Sequence, residues 1–535
     1  MKSMHHVSMA GCGPCGLSRR QFLAGCAACA AAGSGQWAVG SGQQAVEIQH
    51  SAFSIQHSAK AKVRLLFTHV PSTGPIWPNI GYDFERRKKE LIEKLSQAAP
   101  NVELLPATAQ NPEEAKKILD ADPQAGAPQA DGYLVYMLGL WTGAPQVIGA
   151  SGRPTIFVDD LYGGSGEFLI AYAAARRAKQ KVAGVSSSRF GDVAEAVRCF
   201  EILKKPGKSV DDFLAACEAA RRKGTKPVGD MSCPEDPLKT VSVDECLKRL
   251  KSSVILVVGR DPGGEGKAIE EIFGTKVVPL SHAQLHEAYT KIDRDEAAQW
   301  ADRWINQAAK VIEPKREEIE KSGAMYLAMC GLMKQHNAQA ISINCLGGFY
   351  AGQIKAYPCL GFFQLNNDGQ VGACEADLQS TITMLALGYL TGRPGYISDP
   401  VIDTSKNQII YAHCVAPNKV FGPEGPANPY HIRSHSEDRQ GAVVRSLMPL
   451  GHMTTTVEIN LGRREMIFHQ GKSVENIDQD MACRSKLAVE VKGDIDKLLS
   501  YWDQWGWHRV TFYGDLKGPV EEISKALGLK MVIEA

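Results

Sequence analysis

Two carboxylates stand two residues apart in the segment Cys374-Glu375-Ala376-Asp377, directly before a long apolar run. In a strand or an extended turn both side chains point the same way, which suits a divalent-metal site. The run that follows has apolar residues at helical spacing and ends at Gly392 and Pro394, which predicts a helix that begins at the carboxylates. The alternative is that Glu375 and Asp377 only cap this helix.

Several histidines are further candidates. His508 precedes a predicted strand in Gly506-Trp507-His508, and His413 lies in another predicted strand. A histidine in an apolar strand is often only buried and hydrogen-bonded, so both roles stay open on this pattern. Three more histidines, which either line the same cleft or face solvent, fall in a loop-rich region: His431, His435 and His452.

Length and charge limit the classes of protein. A chain of 535 residues predicts roughly three domains. The 60 basic and 59 acidic residues leave a net charge of +1, which offers no electrostatic basis for binding nucleic acid or a membrane surface. Because no apolar run is long enough to cross a bilayer, we expect no stable membrane span.

The N-terminus carries an export motif. The residues SRRQFL at 18–23, followed by AGCAACAAAG, have the layout of a twin-arginine signal peptide, which we assign to residues 1–32. The alternative is a chance basic pair before an alanine-rich helix. The motif predicts export of the folded protein to the periplasm by the twin-arginine translocase. Residues 33–61, rich in Gly, Ser, Gln and Ala, are typical of a flexible tether.

Strands alternate with helical patterns over 62–205 and again over 206–345. This alternation predicts two Rossmann-like, doubly wound parallel α/β domains. Residues at the carboxyl ends of such strands can bind ligands, but His69 and Asp159-Asp160 are interpreted as turn or capping residues. One long helix is predicted over Ala297–Ser322.

The second unit has two weaker patterns. The glycines of GRDPGGEG at 259–266 do not match the spacing of a dinucleotide or P-loop motif, so no nucleotide site is predicted. His282 and His286 are four residues apart, as zinc ligands on a helix sometimes are. Their polar surroundings favour a solvent-exposed pair instead.

Residues 346–535 have a different pattern. Beyond the helix that ends near Gly392, short strands separated by turn residues dominate. This predicts a C-terminal α+β domain that contains a small antiparallel barrel or sandwich.

Three ordered motifs resemble the superfamily of L-fucose and L-arabinose isomerases, and in particular its fucose-isomerase-like members. They are CEADLQSTITMLALGYLTGRP at 374–394, the sequence Ala412-His413-Cys414 followed by Ala416-Pro417, and GWHRVTFYGD at 506–515. The resemblance covers most of 62–535. It implies two Rossmann-like domains followed by a barrel-containing domain, and assembly into a homotrimer or homohexamer.

The resemblance also implies a reaction. Members of the superfamily bind one divalent cation, usually Mn²⁺, through two carboxylates and a histidine, and convert an open-chain aldose into a ketose through an enediol. Carried over by motif, Glu375, Asp377 and His508 would be the metal ligands. Glu375 and Asp377 would also be catalytic, and His413 would contact the sugar or a water on the metal.

One departure from the superfamily leaves the reaction open. Active fucose isomerases contribute another glutamate from an upstream segment, and the corresponding stretch from Asn344 to Asn367 contains no acidic residue. A metal-dependent sugar epimerase, lyase or hydrolase on the same fold is therefore an alternative. A non-catalytic sugar-binding protein with a degenerate site is another.

Overall fold

A computed structural model describes residues 60–122 and 129–535 of the chain. The predicted signal peptide at 1–32, and all but the last two residues of the predicted tether at 33–61, lie outside the described residues. Within the described part, no helix has both the length and the apolar character needed to cross a bilayer.

The first unit is built on a five-stranded parallel sheet with the order β2-β1-β3-β4-β5. Two of its strands, Gly132–Met137 and Thr155–Asp159, are buried along their whole length, as strands of parallel sheets covered by helices are. Its strands are β1 (Ala61–Thr68), β2 (Val102–Ala109), β3 (Gly132–Met137), β4 (Thr155–Asp159) and β5 (Val182–Val185). The helices that belong to it are α1 (Phe84–Ala98), α2 (Pro112–Ala121), α3 (Ala144–Ala150), α4 (Ser165–Arg177), α5 (Phe190–Arg198) with a 3₁₀ turn at Cys199–Lys204, and α6 (Val210–Gly224).

A second parallel sheet has the order β10-β9-β6-β7. Its strands are β6 (Val254–Val258), β7 (Lys276–Leu280), β9 (Ala340–Ile343) and β10 (Val371–Cys374). Its helices are α7 (Val243–Lys251), α8 (Gly263–Phe273), α9 (His282–Thr290), α10 (Arg294–Gln307), α11 (Arg316–Gln335), α12 (Cys345–Tyr350), α13 (Cys359–Asn367) and α14 (Leu378–Thr391). Cys374 pairs with Ile343, so the segment that begins at Glu375 leaves the carboxyl edge of this sheet.

The prediction of one helix over Ala297–Ser322 is wrong, because the chain breaks between α10 and α11. The short strand β8 (Lys310–Val311) lies in the break, where the N–H groups of Ala309 and Ile312 bond to carbonyl groups of a neighbouring strand. Pro314 follows and disfavours a helical backbone at the residue before it. The sequence predicts one helix because the apolar residues on both sides of the break have helical spacing.

Six antiparallel strands close into a barrel with the order β15-β18-β11-β12-β17-β16, and β16 returns to β15. The strands are β11 (Tyr396–Asp403), β12 (Gln408–His413), β15 (Met453–Asn460), β16 (Glu465–Asn476), β17 (Ser485–Lys492) and β18 (Arg509–Tyr513), with β19 (Lys530–Ile533) parallel to β16. The strand β13 (Tyr430–Arg433) lies between β14 (Val443–Ser446) and β8 and pairs with both. The remaining helices are α15 (Ile495–Tyr501), α16 (Lys517–Ala526) and the 3₁₀ turns Thr404–Lys406 and Trp502–Trp505. The predicted combination of parallel α/β sheets and an antiparallel barrel is confirmed.

A fully buried ion pair fixes the start of β18. Arg509 donates from Nη2 to the Glu534 carboxylate at 2.6 Å, and its guanidinium lies 4.0 Å from the ring centroid of Trp502. Glu534 also bonds to His469 Nδ1 at 2.9 Å. This network holds the backbone at the residue that precedes Arg509, which is His508.

The polar residues at the edge of the first sheet have structural roles, as interpreted from the sequence. Asp159 accepts hydrogen bonds from Ser165 and Ser186, and Asp160 is paired with Arg87. The prediction of a solvent-exposed pair at His282 and His286 is wrong for His282. That ring is 8% exposed and bonds to Gln353 and to the carbonyl of Asn344, contacts that the local sequence does not reveal.

Candidate metal centre

The loop after β10 turns sharply at Glu375 and Ala376, which both have left-handed backbone conformations with φ of 61° and 52°. The turn is held on both sides, because the Ala376 N–H bonds to Ile343 O at 3.0 Å and its carbonyl accepts from Arg260 Nη1 at 2.8 Å. Left-handed backbone is strained for residues other than glycine and persists where the surroundings impose it. The segment is therefore not the strand or extended turn from which the shared direction of Glu375 and Asp377 was predicted.

His508 lies between the two carboxylates of this loop. Its Nδ1 is 2.9 Å from Asp377 Oδ2, and its Nε2 is 3.6 Å from Glu375 Oε2. Asp377 is also the N-cap of α14, because its Oδ1 accepts from the Ser380 N–H at 2.9 Å. Asp377 thus both caps the helix and orients the ring.

Asp399 on β11 is a site residue that the sequence reasoning missed. Its Oδ1 lies 3.2 Å from His508 Nε2 and accepts from the Trp507 indole N–H at 2.7 Å. All eight residues of β11 are buried. A carboxylate within such a strand was the available signal, since buried charges are rare unless they are paired or bind a metal.

His413, at the end of β12, faces the same space. Its Nε2 is 3.9 Å from Glu375 Oε1, and its ring centroid is 5.7 Å from that of His508. Glu375, Asp399, His413 and His508 each offer one ligand atom, and these atoms all lie within 4.8 Å of one another. Asp377 stands behind His508, outside this group of four.

The two imidazole rings are held differently. Asp377 accepts from Nδ1 of His508, so once Nε2 gives up its proton to a bound cation, the remaining proton is on Nδ1 and the lone pair of Nε2 faces the group, as for a metal-ligating histidine. Nδ1 of His413 instead accepts the Cys414 N–H at 2.9 Å, which places the proton of the neutral ring on Nε2. Both Nε2 atoms are buried and have no hydrogen-bond partner among the described residues.

Without a cation, the charges within the group keep His508 protonated and His413 neutral. Burial raises the pKa of the Glu375 carboxyl to about 8, with Asp399 adding to the rise and His508 opposing it. Burial alone would lower the pKa of His508, but its contacts with Asp377 and Asp399 outweigh burial and hold that pKa well above its ordinary value. Burial lowers the pKa of His413 to about 4, against the charge of Asp399. His413 is therefore neutral at pH 7.

The residues fit a divalent cation. Two carboxylates and one imidazole whose Nε2 can give up its proton suit Mn²⁺ and similar ions, and Nε2 of His508 lies between Glu375 and Asp399. His413, with a proton on Nε2, fits a hydrogen-bond donor to a ligand oxygen.

A further carboxylate acts on this group from the loop after β13. The negative charge of Glu437 contributes to the raised pKa of Glu375, and the charge of Asp399 contributes to the raised pKa of Glu437, for which burial is the main cause. The Tyr350 hydroxyl donates to Glu437 Oε2 at 2.9 Å. No sequence motif pointed to Glu437, which lies in the loop after β13.

An aromatic pair lies beside Asp399. Trp141 is 57% exposed with φ of 59°, and its ring meets that of Trp507 edge-on at a centroid distance of 5.6 Å. The buried carboxylate of Glu167 anchors the loop by accepting the N–H groups of Thr142 at 3.0 Å and Gly143 at 2.6 Å. The fold thus holds a large ring in a strained, exposed position next to the centre.

Comparisons with known proteins link the chain to sugar isomerases. No protein-family model matches it. Two curated proteins named sulfoquinovose isomerase, from Priestia aryabhattai and Priestia megaterium (strain ATCC 12872 / QMB1551), are each 28% identical to it over 186 residues. The match covers 34% of this chain and 42% of each relative, so the chain matches less than half of the relatives' length. The similarity supports a relationship to sugar isomerases.

Among solved structures, an ABC transporter solute-binding protein from Burkholderia multivorans aligns with 62% of this chain and 93% of its own. The identity is 10% and the TM-score is 0.16, a likeness too low to bear on the fold.

Proposed function

We propose that the protein is a metal-dependent sugar isomerase that converts an aldose into the corresponding ketose. The observation that carries this proposal is the position of His508 Nε2, unpartnered among the described residues, between the carboxylates of Glu375 and Asp399. These three residues would hold one divalent cation, which we take to be Mn²⁺. Asp377 then has a positioning role instead of the ligand role predicted from the sequence.

The bound cation would supply a Lewis acid that polarises the oxygen atoms on C1 and C2 of an open-chain sugar. His413 would donate its Nε2 proton to one of these oxygens and so orient the chain. Isomerisation moves a proton from C2 to C1, which requires a general base. Glu437 is not one of the group of four, but its charge acts on Glu375, and we assign it this role. It takes the place of the upstream glutamate that the stretch from Asn344 to Asn367 lacks.

The substrate we propose is an aldose of the sulfoquinovose type. Support comes from the similarity to sulfoquinovose isomerases over a third of the chain. Trp141 and Trp507 would form an apolar surface for the carbon chain or ring of the sugar, as aromatic side chains do at binding surfaces.

Turnover after metal removal and reloading tests the proposal. Protein stripped with EDTA and reloaded with Mn²⁺ is incubated with sulfoquinovose and, separately, with neutral aldoses, and ketose formation is followed by NMR. We expect ketose only with metal present. Asp399→Asn should lower turnover at least about a hundredfold. Asp302→Asn, an exposed carboxylate paired with Arg316, is the matched control and should behave as wild type.

Other outcomes would contradict the proposal in distinct ways. Equal turnover by metal-free protein would remove the metal from the reaction. Sugar binding without any ketose would favour the binding-protein alternative. If Glu437→Gln keeps its metal and its full turnover, Glu437 is not the base.

The finer architecture and the cellular setting belong to the same proposal. The parallel strands and intervening helices support two Rossmann-like domains, and the SRRQFL motif supports export by the twin-arginine translocase to the periplasm. Assembly into a homotrimer or homohexamer rests on the resemblance to the isomerase superfamily.

A further inference from the structure

Two thiols lie directly behind the loop that carries Glu375. Cys345 opens α12 after β9, and Cys374 is the last residue of the neighbouring strand β10. Their Sγ atoms are 3.1 Å apart, and the residues are 2% and 4% exposed. Parallel pairing of β9 with β10 holds both ends in register, so the approach of the sulfurs is set by the sheet.

This thiol pair is coupled to the metal centre by the chain itself. Cys374 immediately precedes Glu375 in the chain. The loop that follows is left-handed at two successive residues and is held by Ile343 and Arg260. Because the backbone of this turn is tightly constrained, a displacement of Cys374 should also displace the Glu375 carboxylate.

We propose that Cys345 and Cys374 are an oxidation site at which hydrogen peroxide forms an intramolecular disulfide, and that this bond withdraws Glu375 from the metal centre. In the first step, one thiol transfers an electron pair to the peroxide, giving a sulfenic acid and one water. In the second, the other thiol attacks that sulfur, so the S–S bond forms, the S–O bond breaks and a second water leaves. Two thiols and one peroxide thus give one disulfide and two waters.

The expected effect on the centre follows from distances. A disulfide brings the two sulfurs from 3.1 Å to about 2.05 Å. Metal ligands tolerate displacements of only a few tenths of an ångström. Oxidation should therefore lower the affinity for Mn²⁺ by about tenfold or more, the range found when groups that support a ligand are disturbed. The bond itself is independent of the proposed function, whereas its effect on metal affinity rests on the proposed metal centre.

The experiment treats the full-length protein with hydrogen peroxide and measures two quantities. Peptide mapping by mass spectrometry should find Cys345 linked to Cys374, and Mn²⁺ titration should find the weakened affinity, with both changes reversed by dithiothreitol. Cys345→Ser should bind Mn²⁺ as wild type and keep that affinity through peroxide treatment. The matched control is Cys217→Ser, which removes a hydrogen-bonded thiol pair with Cys199 in the first unit and should stay as sensitive as wild type.

Four results would each contradict a different part of this proposal. Absence of the linked peptide from oxidised wild-type protein overturns the oxidation site, even if a serine variant fails to fold. A linked peptide with unchanged Mn²⁺ affinity overturns the coupling. If Cys414→Ser, which breaks the neighbouring pair with Cys483, abolishes the sensitivity instead, the site is assigned to the wrong pair. If reduced wild-type protein binds no Mn²⁺, the proposed function is contradicted. The linked peptide then still tests the oxidation site by itself.

Discussion

At the scale of single residues, the hydrogen bonds on the far sides of His508 and His413 give the two rings different chemistry. Asp377 accepts the Nδ1 proton of His508 and leaves Nε2 free to bind a metal, whereas a backbone N–H occupies Nδ1 of His413. The partner of His508 is distant in the chain, whereas the partner of His413 is the next residue. In the proposed centre, this difference would make His508 a metal ligand and His413 a hydrogen-bond donor.

The protons held by the centre predict how metal binding depends on pH. Glu375, with a pKa of about 8, and His508, with a raised pKa, both carry protons at neutral pH that a cation must displace. The affinity for Mn²⁺ should therefore rise by about tenfold or more between pH 6 and pH 8. Isothermal titration calorimetry measures it. Glu375→Gln has one proton fewer to release and should show a shallower rise, and an affinity that is flat in pH would contradict the assignment.

Trp141 offers a second test at this scale. If the exposed ring supports the sugar, Trp141→Ala should weaken sugar binding by about tenfold, since aromatic contacts are worth on the order of 1 kcal/mol beyond the area that they bury. Trp141→Phe should recover most of that loss. Tryptophan fluorescence titration with sulfoquinovose gives the affinities, and unchanged binding with a changed oligomeric state would assign the ring to a subunit contact.

At the scale of elements, the N-terminus of α14 supports the proposed metal centre. Its N-cap, Asp377, accepts the Ser380 N–H with one carboxylate oxygen and the His508 N–H with the other. Helix stability and ring orientation thus depend on the same side chain.

Two substitutions at position 377 should separate these roles. Asparagine caps a helix about as well as aspartate does, so Asp377→Asn should keep the free energy of unfolding within about 0.5 kcal/mol. Its amide N–H would face Nδ1 and favour the tautomer with the proton on Nε2, so Mn²⁺ affinity should fall about tenfold to a hundredfold. Asp377→Ala should lose that affinity and also about 1 kcal/mol of stability. Urea unfolding and Mn²⁺ titration measure both, and full affinity in Asp377→Asn would refute the positioning role.

The elements themselves were largely predictable, and the assembly of the centre was only partly so. Periodicity and turn residues indicated many, though not all, of the strands of the two parallel sheets and of the barrel, and the motifs pointed to Glu375, His413 and His508. Asp399 and Glu437 were missed because only the closure of the barrel and the path of the loop after β13 bring them to the site. The break between α10 and α11 was missed because a two-residue strand leaves no periodic signal.

At the scale of the whole molecule, the last residues of the chain stabilise the barrel. Glu534 is fully buried and binds both Arg509 and His469. Burial alone would raise the pKa of Glu534, but the charge of Arg509 outweighs it and lowers that pKa to about 2. The carboxylate therefore contributes stability above its unfolded pKa of about 4.5, and this contribution is lost as the pH falls toward 2.

Removing that charge should destabilise the protein. Glu534→Gln leaves Arg509 buried without its counter-charge, which should lower the free energy of unfolding by about 3–5 kcal/mol at pH 7. The difference from wild type should shrink as the pH falls from 4.5 toward 2. Glu521→Gln, at an exposed position on α16, is the control and should change stability by less than about 0.5 kcal/mol. Equal urea unfolding curves for Glu534→Gln and wild type would contradict this role.

The central claim is that Glu375, Asp399 and His508 hold one divalent cation, and anomalous diffraction from a crystal grown with Mn²⁺ tests it most directly. The account predicts a single manganese peak about 2.0–2.3 Å from a carboxylate oxygen of Glu375, from one of Asp399 and from Nε2 of His508. Asp377 should lie beyond bonding distance of the peak and remain hydrogen-bonded to Nδ1. A crystal that shows no peak there, or a peak bound by Asp377 in place of Asp399, would contradict the account.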